Sequence, residues 1–255
     1  MNVYVMKVAA IALVMISVPL CVQAAEITLL VSNAFKSAME GLAPQFEKAS
    51  GHKLMITYGS TNPLKVRIEK GEACDLVILS GAAIDDLIKH GRLVASTRAV
   101  IAKSGMGVAI RKGAPKPNIG TTEAFKHALI NAKSIAFLEQ GLTGVYLTGL
   151  FQRLGIAEVL KSKIKYVRAG EAVAEGEAEI GITQISEILP VSGVELAGPL
   201  PSEIQSYALF VAAVGASAKQ ADAAKALLTY LGLPDAASVM RANGLEPAPT
   251  VPGGQ

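Results

Sequence analysis

The sequence predicts an α/β protein of two lobes, each a sheet flanked by helices, joined by two hinge crossovers. Three observations predict it. Extended apolar segments are followed three times in succession by segments that are apolar at helical spacing, each stopped by a glycine: Gly51, Gly71 and Gly91. The third of these strands, 76–79, is too apolar to be half solvated, as expected of a parallel sheet covered on both faces. A strongly apolar strand at 207–214 then follows a long middle section with its own strand–helix pattern, so the chain leaves one lobe and returns to it.

Taken in order, 26–31 reads as a short apolar strand, with Ser32 and Asn33 as cap candidates before a helix carrying Phe35, Ala38, Met39, Leu42 and Phe46 on one face. Strand 53–58 meets the polar loop Gly59-Ser60-Thr61-Asn62-Pro63. Asn62 reads as the N-cap and Pro63 as the first helical residue, where no N–H is needed, of a helix to about residue 70. Ser80-Gly81 follows the third strand and opens a helix with Ile84, Leu87 and Ile88 on one side. Residues 99–102 and 106–111 read as two extended runs broken by Ser104-Gly105. Thr121-Thr122 cap a helix through 131, and 134–137 is a strand. The loop Gln140-Gly141-Leu142-Thr143-Gly144 opens a helix with Leu147, Leu150, Phe151 and Leu154 in register. A strand at 165–167, a short helix or turn at 172–179, a strand at 180–184 and an edge strand at 194–197 complete the middle section. The helix at 220–231 places Ala224, Leu227, Leu228 and Leu231 on its core face, and Pro234 starts a last helix closed by Gly244. Lobe 1 is therefore expected at 25–103 plus 206–245 and lobe 2 at 104–205, with a disordered Pro- and Gly-rich tail at 246–255.

The N-terminus reads as a secretory signal over 1–24: Lys7, an apolar run at 8–20, and Val22-Gln23-Ala24 for cleavage before Ala25. The apolar run is too short to span a bilayer, and Val18-Pro19-Leu20 before Cys21 is a poor lipidation signal, so a soluble periplasmic product is expected. The mature chain then has 231 residues (255 − 24) and, without Lys7, 23 basic against 21 acidic residues. That even balance argues against nucleic acid as a partner. One cysteine remains, Cys74, so no internal disulfide forms, and its place beside Asp75 at the head of an apolar strand suits a buried structural thiol.

No metal-ligand spacing, nucleophile elbow, phosphate loop or dinucleotide fingerprint is present, and His52, His90 and His127 stand apart in polar contexts, so no metal and no cofactor are expected. What the chain does offer is a set of polar loops at helix starts: Ser32-Asn33, Ser60-Thr61-Asn62, Ser80-Gly81 and Thr143-Gly144. The first N–H groups of a helix lack internal partners and sit at the positive end of its dipole. Each loop alone is an ordinary cap; together they fit a site that binds a small anion through backbone N–H and hydroxyl groups. Gln184, at a strand end in lobe 2, would add an amide. Arg168 would pair a carboxylate or stand as a surface arginine, and Tyr146 would offer a hydroxyl or pack in the core. Closing the lobes on each other would bury the ligand.

At these residues the chain resembles the molybdate-binding periplasmic proteins of ABC importers, which have the type II periplasmic binding protein fold. The likeness rests on 35–46 after the first strand, on Leu64-Lys65-Val66-Arg67-Ile68-Glu69-Lys70-Gly71, on Asp75-Leu76-Val77-Ile78, on Gly144-Val145-Tyr146 and on Glu179-Ile180-Gly181-Ile182. The resemblance implies a monomeric solute-binding protein that delivers a small anion to an importer permease. It also implies ligand contacts at Ala34, where family members usually carry a serine, at Thr61, at Thr143 before the loop glycine, and at Gln184 in place of a tyrosine; the segment 168–176 is shorter than the family's. A shell this rich in amides and hydroxyls suits an organic carboxylate as well as an oxyanion. Aconitate isomerases resemble the same branch, which implies an alternative: an allylic proton shift with Glu139 or Glu171 as base and Arg168 and Thr143 holding carboxylates.

Overall fold

A computed structural model describes residues 24–249. The signal sequence read over 1–24 lies, except for Ala24, outside the described residues, as does the tail from 250 onwards.

The first lobe is built as the sequence implies. β1 (Glu26–Ser32), α1 (Lys36–Ser50), β2 (Lys53–Gly59), α2 (Thr61–Glu69), β3 (Leu76–Ser80) and α3 (Gly81–Lys89) alternate, and β1 lies between β2 and β3, parallel to both. β4 (Ala99–Arg111) then leads into the second lobe: α4 (Thr122–Asn131), β5 (Ile135–Ala136), α5 (Leu142–Arg153), α6 (Ala157–Leu160), β6 (Ile164–Lys165), α7 (Ala169–Glu175), β7 (Ile180–Gln184), α8 (Ile185–Ile188) and β8 (Val194–Pro199). β9 (Tyr207–Val214), α9 (Ala221–Leu231), α10 (Pro234–Ala242) and β10 (Glu246–Pro247) return to the first. The strand order is β2-β1-β3-β9-β4-β7-β5-β6, with β8 and β10 also paired to β4.

β3 shows why its run is continuously apolar. Leu76 and Ile78 pack on one face with Phe35, Met39, Leu42, Leu227 and Met240, from the side of α1, α9 and α10. Val77 and Leu79 pack on the other with Leu64, Ile68, Ile84 and Leu87 of α2 and α3. A separate cluster of Val108, Phe125, Phe137, Leu147, Phe151 and Ile182 fills the second lobe. Asp75 ties the first lobe together. Its buried carboxylate accepts from the N–H and hydroxyl of Thr28 (both 2.8 Å) and from the N–H groups of Lys219 (2.7 Å) and Gln220 (2.9 Å), just ahead of α9. Cys74 beside it is buried, its thiol pushed up to about 12 by desolvation with the Asp75 and Glu72 charges adding to it.

Four expectations are corrected. β4 is one continuous strand of 13 residues rather than two runs, because it changes partners without bending out of the extended form: its first half pairs with β9, its second with β7 and β8. α2 begins at Thr61 with Ser60 as its N-cap; Asn62 and Pro63 lie inside the first turn, where a missing N–H costs nothing. The short helix expected at 172–179 lies earlier, at Ala169–Glu175, and Gly176 ends it in the left-handed region. The expected disorder does not begin at Glu246: Glu246 and Pro247 pair with Lys103 and Ala102 of β4, and the Ala248 N–H donates to the Ile101 carbonyl. Proline is tolerated there because β10 is a short edge strand.

The lobes are linked by β4 around Lys103–Met106 and by the chain at Gln205–Ser206. The Gln205 amide clasps the two links: Oε1 accepts from the N–H of Met106 (2.8 Å) and Ser206 (2.9 Å), and Nε2 donates to the Met106 carbonyl (3.1 Å). The fully buried Ser104 adds a third tie. Its hydroxyl donates to the Gly244 carbonyl (3.1 Å) and accepts from the Ser186 N–H at the start of α8 (3.2 Å). Gly244 itself has φ +72°, and a Cβ there would come within 2.8 Å of the Ile185 side chain.

Candidate functional site

The strand registers decide which ends of the lobes face each other. Ser32 pairs with Gly59 and Val31 with Ile78, so β1, β2 and β3 end side by side, at Ser32, Gly59 and Ser80. Ser80 is level with Phe210, and Phe210 with Ala102 of β4. Further along β4, Met106 is level with Gln184, the last residue of β7. β5 and β6 run parallel to β7, Ala136 opposite both Gly181 and Lys165, so their carboxyl ends point the same way. The helix starts after β1, β2 and β3 therefore face those after β5, β6 and β7 across the hinge. Ala102 and Met106 are four residue steps apart along β4, about 13 Å of extended chain.

The structure thus brings the expected residues onto two opposed edges. On the lobe 1 edge are Ser32, Asn33 and Ala34 after β1 and Ser60 and Thr61 after β2. Ser32 and Ala34 are buried, and Ala34 belongs to the apolar core, which leaves its N–H as the group it can offer a ligand; Ser60 is exposed. On the lobe 2 edge, Thr143 and Gly144 lie in the first turn of α5. A Cβ at Gly144 would fall 1.8 Å from the Glu139 carbonyl oxygen, so the loop from Leu138 to Gly141 can fold over the helix start only because that residue is glycine. Glu139 itself is exposed on that loop. Arg168 occupies the N-cap position of α7 and pairs with Glu171 at 3.3 Å, both largely exposed. Gln184 is buried and its Oε1 has no partner; the Ser186 hydroxyl, two residues on, is buried and unpartnered as well. α8 packs against the 3-10 turn Asn33–Phe35, so the Gln184 end of lobe 2 touches the Ser32 end of lobe 1. Tyr146 is committed elsewhere: its hydroxyl donates to the Ile204 carbonyl at 2.6 Å and its ring packs on the lobe 2 core.

The edge also holds a group that sequence reasoning missed. Glu187 is half-buried in α8 and accepts from the Thr183 hydroxyl at 2.5 Å. Burial raises its carboxyl above the ordinary range; the Thr183 bond and the Arg168 charge oppose that, and Glu171 adds to it. Thr183 lies on the strand and Glu187 on the helix that follows, a contact across a strand–helix junction that no helical or strand periodicity encodes. The buried pair of serines, Ser104 and Ser186, was missed because the two lie 82 residues apart in sequence.

Two other features lie apart from this cleft. A cavity of about 740 Å³ opens between the loop Ala114–Asn118, α4 and the amino end of β7, at the far end of lobe 2 from the hinge. Glu69, Asp86 and His90 come close enough together to suggest a cation site, but the Lys65 ammonium already stands among them, 3.0 Å from Glu69 and 2.5 Å from Asp86.

Comparison with known proteins gives a consistent neighbourhood. Residues 27–246 match the family described as bacterial extracellular solute-binding protein. The chain is 34% identical over 235 residues to an aconitate isomerase from a Pseudomonas species, covering 89% of each chain. It is 28% identical over 237 residues to the molybdate-binding protein ModA of Azotobacter vinelandii, covering 87% of this chain and 90% of that one. The solved periplasmic molybdate-binding protein of A. vinelandii shares its fold, with a TM-score of 0.72 at 20% sequence identity over 86% of this chain and 98% of that one.

Proposed function

The chain belongs to the bacterial extracellular solute-binding protein family, and on that premise we propose that it captures a small anion between its lobes in the periplasm, as a monomer, and hands it to an ABC importer. The anion is an oxyanion of the molybdate type or an organic carboxylate. The observation that carries this reading is the strand register, which sets polar helix starts of both lobes against each other across β4. Unpaired N–H groups at helix starts, the hydroxyls of Ser32, Ser60, Thr61 and Thr143, the Gln184 amide and the Arg168 guanidinium are the groups available to an anion there. Calorimetry with molybdate, tungstate, sulfate and tricarboxylates identifies the ligand. Thr61→Ala and Thr143→Ala are each expected to weaken its binding about tenfold, near 1.4 kcal/mol, with unfolding unchanged. Unchanged affinity in both variants removes those loops from the site.

A second reading has the same cleft isomerise an unsaturated tricarboxylate. It draws on the likeness to an aconitate isomerase and on Glu187, a carboxyl that burial inclines to keep its proton beside Arg168. In an allylic shift a base takes a proton from the CH₂ carbon, the electron pair moves the double bond over, and a proton returns at the former vinylic carbon, so nothing is oxidised or reduced. Glu171, paired to Arg168, and Glu139, on the loop over Gly144, are the exposed carboxylates on the lobe 2 edge. Purified protein incubated with trans-aconitate separates the readings: absorbance that changes with turnover favours the isomerase, and binding without change favours the carrier.

A further inference from the structure

We propose that Glu187 is the proton-carrying group of the cleft, so that an anion enters between the lobes together with one proton held on the Glu187 carboxyl. This rests on the cleft being the binding site and holds for a carrier and for an isomerase alike.

Glu187 occupies the edge from which the lobe 2 helices start. It stands one turn beyond Gln184, on a helix that touches the first helix start of lobe 1. A carboxylate there would repel any anion the cleft is built to receive, and few groups are placed to neutralise it. The Thr183 hydroxyl gives it a single donor, at 2.5 Å. α7 presents Arg168 and Glu171, but these two are paired with each other at 3.3 Å, so the guanidinium is shared. The other elements against α8 bring no free cation among the described residues near Glu187. Lys36, after the turn Asn33–Phe35, pairs with Glu40 at 3.7 Å. Lys103 of β4 pairs with Glu246 at 2.9 Å, and Arg111 at its far end donates to the Ala174 carbonyl. On β8, Glu195 pairs with Lys116 at 3.9 Å. The group that can remove the Glu187 charge is a proton. Burial already favours the neutral acid, and an arriving anion favours it further. A protonated Glu187 also has an O–H to donate, in a stretch where Gln184 Oε1 and the Ser186 hydroxyl lie buried without partners.

Titration calorimetry with two probes tests this: molybdate from about pH 6 to 8.5, where it stays a dianion, and trans-aconitate from about pH 7 to 8.5, above the titration of its third carboxyl, which the charges of the other two raise above the ordinary range. Wild-type affinity is expected to fall as pH rises, by up to about tenfold per unit once Glu187 is ionised in the free protein. The heat of binding should vary with the ionisation enthalpy of the buffer, corresponding to uptake of up to one proton. Glu187→Gln, neutral at every pH, should bind with nearly constant affinity and no proton uptake, whereas Glu158→Gln, exposed on α6, should keep the wild-type slope. Thr183→Val, which removes the donor to the carboxylate, should move the fall to higher pH. A Glu187→Gln protein that keeps the wild-type slope and proton uptake overturns the proposal. So does a flat wild-type profile without proton uptake, and so does a Thr183→Val profile that coincides with wild type should Glu187→Gln not fold. If neither probe binds at all, the cleft reading itself fails, and this proposal fails with it.

Discussion

Asp75 shows how much one side chain can hold. Burial works against its charge, yet four donors outweigh that and keep its carboxyl below its ordinary value of 3.8. A carboxyl whose folded pKa is depressed lends its stability above the unfolded pKa and loses it as pH falls through the folded value. Asp75→Ala is therefore expected to cost at least about 3 kcal/mol at neutral pH, since buried donors on β1 and ahead of α9 lose their acceptor. Urea unfolding measures this, and the gap to wild type should narrow below about pH 4. The sequence placed Asp75 correctly at the head of an apolar strand. It could not show the carboxylate's partners, because Lys219 and Gln220 lie 144 and 145 residues further along. Glu187 was hidden for a different reason: its partner Thr183 is only four residues away, but the contact is made only once β7 turns into α8.

Among the elements, the helices themselves were the most readable, though not always their first residues, because an apolar repeat and a terminal glycine are local signals. The repeat Phe35, Ala38, Met39, Leu42, Phe46 lies buried along one side of α1 and the turn before it, and Gly51 ends that helix at φ +76°. Strands whose form depends on remote partners were read less well: β4 looked broken at Ser104-Gly105 because nothing nearby shows that β9 and β7 take it up in turn. The α5 start carries a prediction of its own. Gly144→Ala places a methyl group where the Glu139 carbonyl now sits, so the loop over the helix must lift. Ligand affinity should fall by more than tenfold, and hydrogen exchange should quicken at residues 138–143 while the lobe 2 core around Phe137 and Leu147 stays protected. An unchanged exchange pattern would mean the loop accommodates the methyl group where it is.

At the scale of the whole molecule, the two-lobed plan was readable from the returning strand at 207–214, but the way the lobes are fastened was not. The clasp of Gln205 on Met106 and the bonds of Ser104 to Gly244 and Ser186 join residues up to 140 positions apart. Such short, well-bonded links suit rotation of two rigid bodies, each with its own core, over deformation within either. Small-angle scattering should then show the radius of gyration shrinking by roughly a few per cent on saturation with ligand, with the circular dichroism spectrum unchanged. A radius that stays fixed would mean the facing edges do not close. β10 gives this arrangement a practical use. Because residues 246–248 lie along the strand that passes between the lobes, a fluorescent reporter fused behind Pro249 would ride on the joint between them. The same reporter placed ahead of β1 would sit at the opposite, amino end of the sheet and register little, so a sensor for this protein's cargo is best built from its tail.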